Sequence, residues 1–127
     1  MTTRGVEALS LGQKQELFAQ LLGRLLTWIY THETWKVRLG EGYVGDTDAK
    51  DGDYDGPHMR NGEHYNKLAQ DLNLFVKGVF ITGAHPAWDE IGAKWKSFHP
   101  LCRWGGDFAS RDFNHISLTH GGKSVRA

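Results

Sequence analysis

Of the 127 residues, one is cysteine and three are proline, and no charge sign is in excess. A single thiol, Cys102, excludes an internal disulfide framework and any multi-thiolate metal site, so a metal would have to be held by His, Asp or Glu. Fifteen Lys and Arg balance fifteen Asp and Glu. The global positive field that draws a chain to nucleic acid or an anionic membrane is therefore missing. Long apolar runs are missing too. The longest apolar stretch, residues 17–30, is broken by Gln20, Gly23, Arg24 and Thr27 and falls short of the roughly 20 residues that span a bilayer. The first fifteen residues have no apolar core of signal-peptide length, so the expectation is a chain without a cleaved secretory signal.

What is present is enough apolar material for one core. Apolar residues make up 39% of the chain and aromatics 12%, which excludes disorder on composition and, at this length, predicts one domain spanning 1–127 with its core over about 10–120. Seven histidines are the surplus.

Residues 10–31 read as an amphipathic helix: Ser10 with Gln13 forms a capping-box pattern, and Phe18, Leu21, Leu22, Leu25, Leu26 and Ile29 recur at helical spacing. From Gly40 to Gly62 the composition turns to Gly, Asp and Pro, which predicts a long surface loop. Residues 68–76 alternate, and Lys77-Gly78 separates them from residues 79–82, a β-hairpin pattern. Pro86 stands at a first helical position, Asp89 and Glu90 fill the first turn, and Trp88, Ile91 and Trp95 line one face of a second helix. After a turn at Gly105-Gly106, residues 114–119 alternate again as a strand. The expected class is α+β: a small antiparallel sheet packed with two or three helices.

The histidines divide by position. His32, His85 and His99 lie at helix ends or beside prolines, where capping or solvation accounts for them, and His58 lies in the Asp-rich loop. Asp71 shares a strand face with Ala69 and Asn73, opposite Leu72 and Leu74. A carboxylate halfway into a sheet needs a partner, and a metal is one such partner. His64 precedes that strand, His115 opens the last one with Asp112 three residues before it, and His120 falls on the opposite face. Spacing alone leaves a metal at His64, Asp71 and His115 beside the plainer alternative of satisfied polar side chains.

Two stretches, RNGEHYNKLAQDLNLF and RWGGDFASRDFNHIS, resemble the zinc metallopeptidases of the D-alanyl-D-alanine carboxypeptidase and L-alanyl-D-glutamate peptidase group, above all phage endolysins that cut the peptide stem of peptidoglycan. The resemblance covers residues 15–118. That family has Ser-x-His, an aspartate seven residues after the histidine, a Trp-Gly-Gly-Asp turn, and an acidic residue three before a final histidine. Here His64 and Asp71 keep the first spacing, Trp104-Gly105-Gly106-Asp107 is intact, and Asp112 with His115 keeps the last. Gly62 replaces the serine, and the family's upstream arginine has no counterpart at Tyr43 or Val44.

The resemblance implies one zinc ion on His64, Asp71 and His115, a water whose pKa falls towards roughly 7, and Asp112 as general base. Arg60 and Arg38 are the nearby residues for holding a substrate carboxylate in a bidentate contact. It implies an endolysin made in the host cytoplasm, acting on the wall once the membrane is breached, monomeric, with peptidoglycan stem peptide as partner and neither nucleic acid nor a stable membrane association. Rival readings are a D-Ala-D-Ala carboxypeptidase or dipeptidase on the same scaffold, and a non-catalytic wall-binding or phage structural protein.

The Asp-rich loop copies half a calcium site. Asp51, Asp53 and Asp55-Gly56 match the start of an EF-hand loop, but Pro57 and Gly62 stand at its seventh and twelfth positions, where a bidentate Glu should close the site. A solvated loop is the expectation there.

Overall fold

The computed structural model describes residues 9–40 and 67–120. Helix α1 (Leu11–Ile29) begins as its sequence dictates: the Ser10 hydroxyl accepts from the Gln13 N–H at 3.1 Å while the Gln13 side chain accepts from the Ser10 N–H at 2.9 Å. Phe18, Leu21, Leu25 and Ile29 are buried along one stripe, and Leu22 and Leu26 are half-buried against the core.

Among the described residues, five strands form one antiparallel sheet. They are β1 (Trp35–Leu39), β2 (Ala69–Val76), β3 (Val79–Phe80), β4 (Cys102–Trp104) and β5 (His115–Leu118), in the order β1-β2-β5-β4 with β3 also paired to β2. The β2–β3 turn is the two-residue type the sequence indicated. Lys77 (φ 52°) and Gly78 (φ 79°) both adopt left-handed backbone, which matches the twist of the flanking strands. The Leu72 N–H bonds Asn114 O and Leu74 O accepts from the Ile81 N–H, so β5 and β3 occupy successive lengths of one edge of β2. The gap between them becomes the floor of a cleft.

Helix α2 (Pro86–Phe98) starts on Pro86 with His85 as its cap, the imidazole Nδ1 accepting from the Ala87 N–H at 3.0 Å. Its Trp88, Ile91 and Trp95 are buried against Leu25, Leu72, Leu74 and Ile116. The Trp95 indole N–H is shared between Arg103 O and Ser117 O at 3.1 and 3.2 Å, which binds the helix to β4 and β5. The two α-helices and small antiparallel sheet of the described residues make this an α+β domain. None of the described helices is long and apolar enough to cross a membrane.

The structure adds two strands that the periodicity did not reveal, β1 and β4. Only Trp35 and Val37 turn inward from β1, and β4 is three residues long, so neither offers enough repeats for a period to register. The hairpin's second strand is shorter than expected, ending at Phe80. Cys102 is buried, and desolvation pushes its thiol up to about 12. It is a small core residue without thiolate chemistry.

Candidate metal centre

Strand pairing builds the centre. The β2–β5 register sets Asp71 directly opposite His115, and directly opposed residues project to the same face with Cβ atoms about 4.5–5.5 Å apart. The Asp71 carboxylate Oδ1 lies 3.4 Å from His115 Nδ1, with the histidine side chain 3% and the aspartate 19% exposed. Asp71 Oδ1 and His115 Nε2 are both shut off from solvent.

Asp112 joins them from the turn before β5. Its N–H donates to Gly105 O at 2.9 Å, and its own carbonyl accepts from the His115 N–H at 3.2 Å. Asp71, Asp112 and His115 each offer a donor atom within 4.8 Å of the others. Tetrahedral zinc with bonds of 2.0–2.2 Å places neighbouring donors about 3.3–3.6 Å apart, a range that includes the 3.4 Å Asp71–His115 separation. A nitrogen and carboxylate oxygens are also the donor types zinc accepts. The residues therefore fit the ion that the family pattern implies.

The Trp-Gly-Gly-Asp segment supports this geometry from behind. The Trp104 indole lies against Gly92 of α2 and against Gly106, where any Cβ would overlap its ring. Its N–H donates to Phe113 O at 2.8 Å, one residue past Asp112. Gly105 lies so close to the Asp112 carbonyl that a side chain there would collide with it. Asp107 points away and pairs with Lys96 of α2 at 2.7 Å.

Asp112 is also part of the wall of a cavity of about 310 Å³ at the gap between β3 and β5. Asn73, Phe80, Thr82, Trp88 and Arg111 line it as well. The sequence patterns placed Asn73 on the Asp71 strand face and Trp88 on a helix face, but singled out none of these five as a site residue. For Arg111, adjacency to Asp112 was the available signal.

The remaining site residues fall elsewhere. Arg38 shares the Asp71 face, opposite Asn73 on β1, but its guanidinium stacks 4.4 Å over the Phe75 ring. Phe75 is four residues along β2 from Asp71, about 13 Å at strand rise. His64 and Arg60 lie outside the described residues, as do His58 and the calcium-like half loop.

Four of the described histidines are used structurally. His32 stacks on Trp35 at 3.7 Å, His85 caps α2, His99 Nδ1 accepts from the Leu101 N–H, and His120 Nδ1 lies 3.2 Å from the Nζ of buried Lys14. Burial lowers the His99 pKa, and burial followed by the Lys14 charge lowers that of His120, both from an ordinary 6.5. Unfolding lets both imidazoles take protons more readily, so their contribution to stability is complete above about pH 6.5 and declines as pH falls below it. The expected result is a melting temperature that drops between pH 7 and 5, with a smaller drop in His120→Gln. Scanning calorimetry of both proteins across that range checks it, and identical slopes would contradict it.

No family model matches the chain, and no curated protein matches it by sequence. Among solved structures it is similar to the crystal structure of Serratia marcescens L-Ala D-Glu endopeptidase ChiX, with 16% identity, a TM-score of 0.57, and coverage of 80% of this chain and 79% of that one. The two chains share a fold.

Proposed function

We propose that this chain is a zinc-dependent peptidoglycan peptidase of the phage endolysin type, hydrolysing the stem peptide at the L-alanyl-D-glutamate bond. The observation that carries the reading is the convergence of Asp71, Asp112 and His115 within 4.8 Å beside a cleft. Support comes from the shared fold with an L-Ala D-Glu endopeptidase and from the spacing of the sequence motifs.

In this reading His64, Asp71 and His115 hold one zinc ion. When bound, zinc supplies Lewis-acid polarisation of the scissile carbonyl and a water acidic near neutral pH. Asp112 takes the proton from the attacking water and returns it to the leaving amine at its carboxylate oxygen. His115 is buried, while Asp112, half-exposed, stays in reach of the cleft. Arg60 contributes a cation for a substrate carboxylate, and Arg38, stacked on Phe75, meets an extended substrate farther along the sheet.

The test is metal removal. The protein as purified is expected to hold about one zinc per chain and to clear a suspension of sacculi, to lose both properties on dialysis against a strong chelator, and to regain them with added zinc. A protein that binds no zinc, or clears sacculi equally well after the metal is stripped, would refute the reading.

A further inference from the structure

Arg111 is placed beside the reacting centre in an arrangement that the proposed reaction has not yet used. It is the residue before Asp112, and both line the cleft at the β3–β5 gap. Two contacts hold its guanidinium: Nε donates to Gly106 O at 2.7 Å, and Cζ lies 4.5 Å from the centroid of the Phe113 ring. The guanidinium is a rigid fork with five N–H donors, and a bond at Nε uses one. The paired Nη groups form the edge that matches a carboxylate through two parallel hydrogen bonds. A guanidinium held on a ring and a backbone carbonyl also loses less side-chain freedom on binding than a free arginine would.

The other polar groups of this cleft, Asn73, Thr82 and Asn114, are uncharged, and Asp112 is the acid committed to the proton transfer. Arg111 is thus the one cation among the described lining residues. Arg111 and Asp112 line the same cleft, so a substrate residue whose leaving amine meets Asp112 shares that cleft with the Arg111 cation.

From this geometry we infer that Arg111 is a specificity-determining residue that binds an anionic group on the leaving-amine residue of the substrate. The inference rests on the proposed peptidase reading and deepens it. The chemical class is a peptide whose leaving residue bears a free carboxylate close to the scissile amide. In a stem peptide linked onward through the glutamate side chain, the α-carboxylate of D-glutamate has that position. The same residue with that carboxylate converted to an amide keeps its shape and loses its charge, which makes the pair a direct probe.

The experiment measures kcat/KM of the zinc-loaded protein on L-Ala-γ-D-Glu-L-Lys and on its α-amide, for the wild type, Arg111→Gln and Arg111→Lys. The wild type is expected to prefer the acid by about 10- to 100-fold, the ratio that a charge-assisted bidentate contact produces, expressed chiefly in KM. Arg111→Gln is expected to collapse that ratio to near one, and Arg111→Lys, a cation without the fork, to leave an intermediate ratio. The ratio is internal to each protein, so a variant that merely folds less well lowers both rates and leaves it intact. An unchanged acid-to-amide ratio in Arg111→Gln, or a wild type that cleaves both substrates equally, overturns the inference alone. A zinc-loaded wild type that cleaves neither peptide nor sacculi overturns the peptidase reading beneath it.

Discussion

Asp112→Ala is expected to lower the rate of stem-peptide hydrolysis by about 10²–10⁴-fold, the range that a positioned general base contributes, while about one zinc per chain stays bound. The backbone of residue 112 is held by its own N–H to Gly105 O and by its carbonyl to the His115 N–H, and neither bond involves the carboxylate. Both backbone bonds remain available after truncation at Cβ. Asp112 is half-exposed, so stability should change little. His115→Ala is expected to behave differently: it removes a buried donor opposite Asp71, and zinc and activity should be lost together. Elemental analysis beside a hydrolysis assay separates the two outcomes. Full activity in Asp112→Ala would remove the base assignment, and loss of zinc in that variant would make Asp112 a ligand.

The largest stability effect is expected at Trp104. Its indole fills a slot that exists because Gly92 and Gly106 have no side chains, and its N–H is bonded to Phe113 O. Trp104→Ala would empty that slot and leave the part-buried Phe113 carbonyl without its indole donor. Truncation of a core aromatic costs about 3–5 kcal/mol. For a domain of this size that corresponds to a fall in Tm on the order of 10–20 °C. Gly106→Ala approaches the same slot from the other side, forcing a methyl group into the ring, and overpacking of this kind costs about 1–3 kcal/mol. Both changes act on the segment that carries Phe113 and Asp112, so activity should fall with stability. Denaturant unfolding measures the loss directly. A cost below about 1 kcal/mol for Trp104→Ala would mean that the indole does not hold this segment.

These residues also mark what could be read from the chain in advance. Local signals were legible: Ser10 with Gln13 gave the start of α1, Pro86 the start of α2, and Lys77-Gly78 the hairpin turn. The alternation around Asp71 placed its side chain opposite Leu72 and Leu74, which the structure buries on the core side. Long-range pairing was not legible. The register that sets Asp71 against His115 joins distant parts of the chain, and no local period encodes it. The Trp-Gly-Gly-Asp motif was readable as a pattern, yet its physical reason, a ring lying between Gly92 and Gly106, needs a helix that the motif does not contain. Arg38 was readable as a nearby cation, while its stacking on Phe75 follows from the unanticipated strand β1. Arg111 was concealed for a similar reason, since the cleft it lines forms only where β3 and β5 leave a gap on one edge of β2.

In the proposed reaction, this centre hydrolyses an amide of the peptidoglycan stem with bound zinc. Its most direct test is the mass spectrum of fragments released from purified sacculi by the zinc-loaded protein, with and without chelator. Stem fragments with a new amino terminus on D-glutamate are expected, absent when the metal is chelated and restored with zinc. Release of terminal D-alanine alone would reassign the reaction to that of a carboxypeptidase, and a zinc-loaded protein that releases no fragment would refute peptidase activity at this centre.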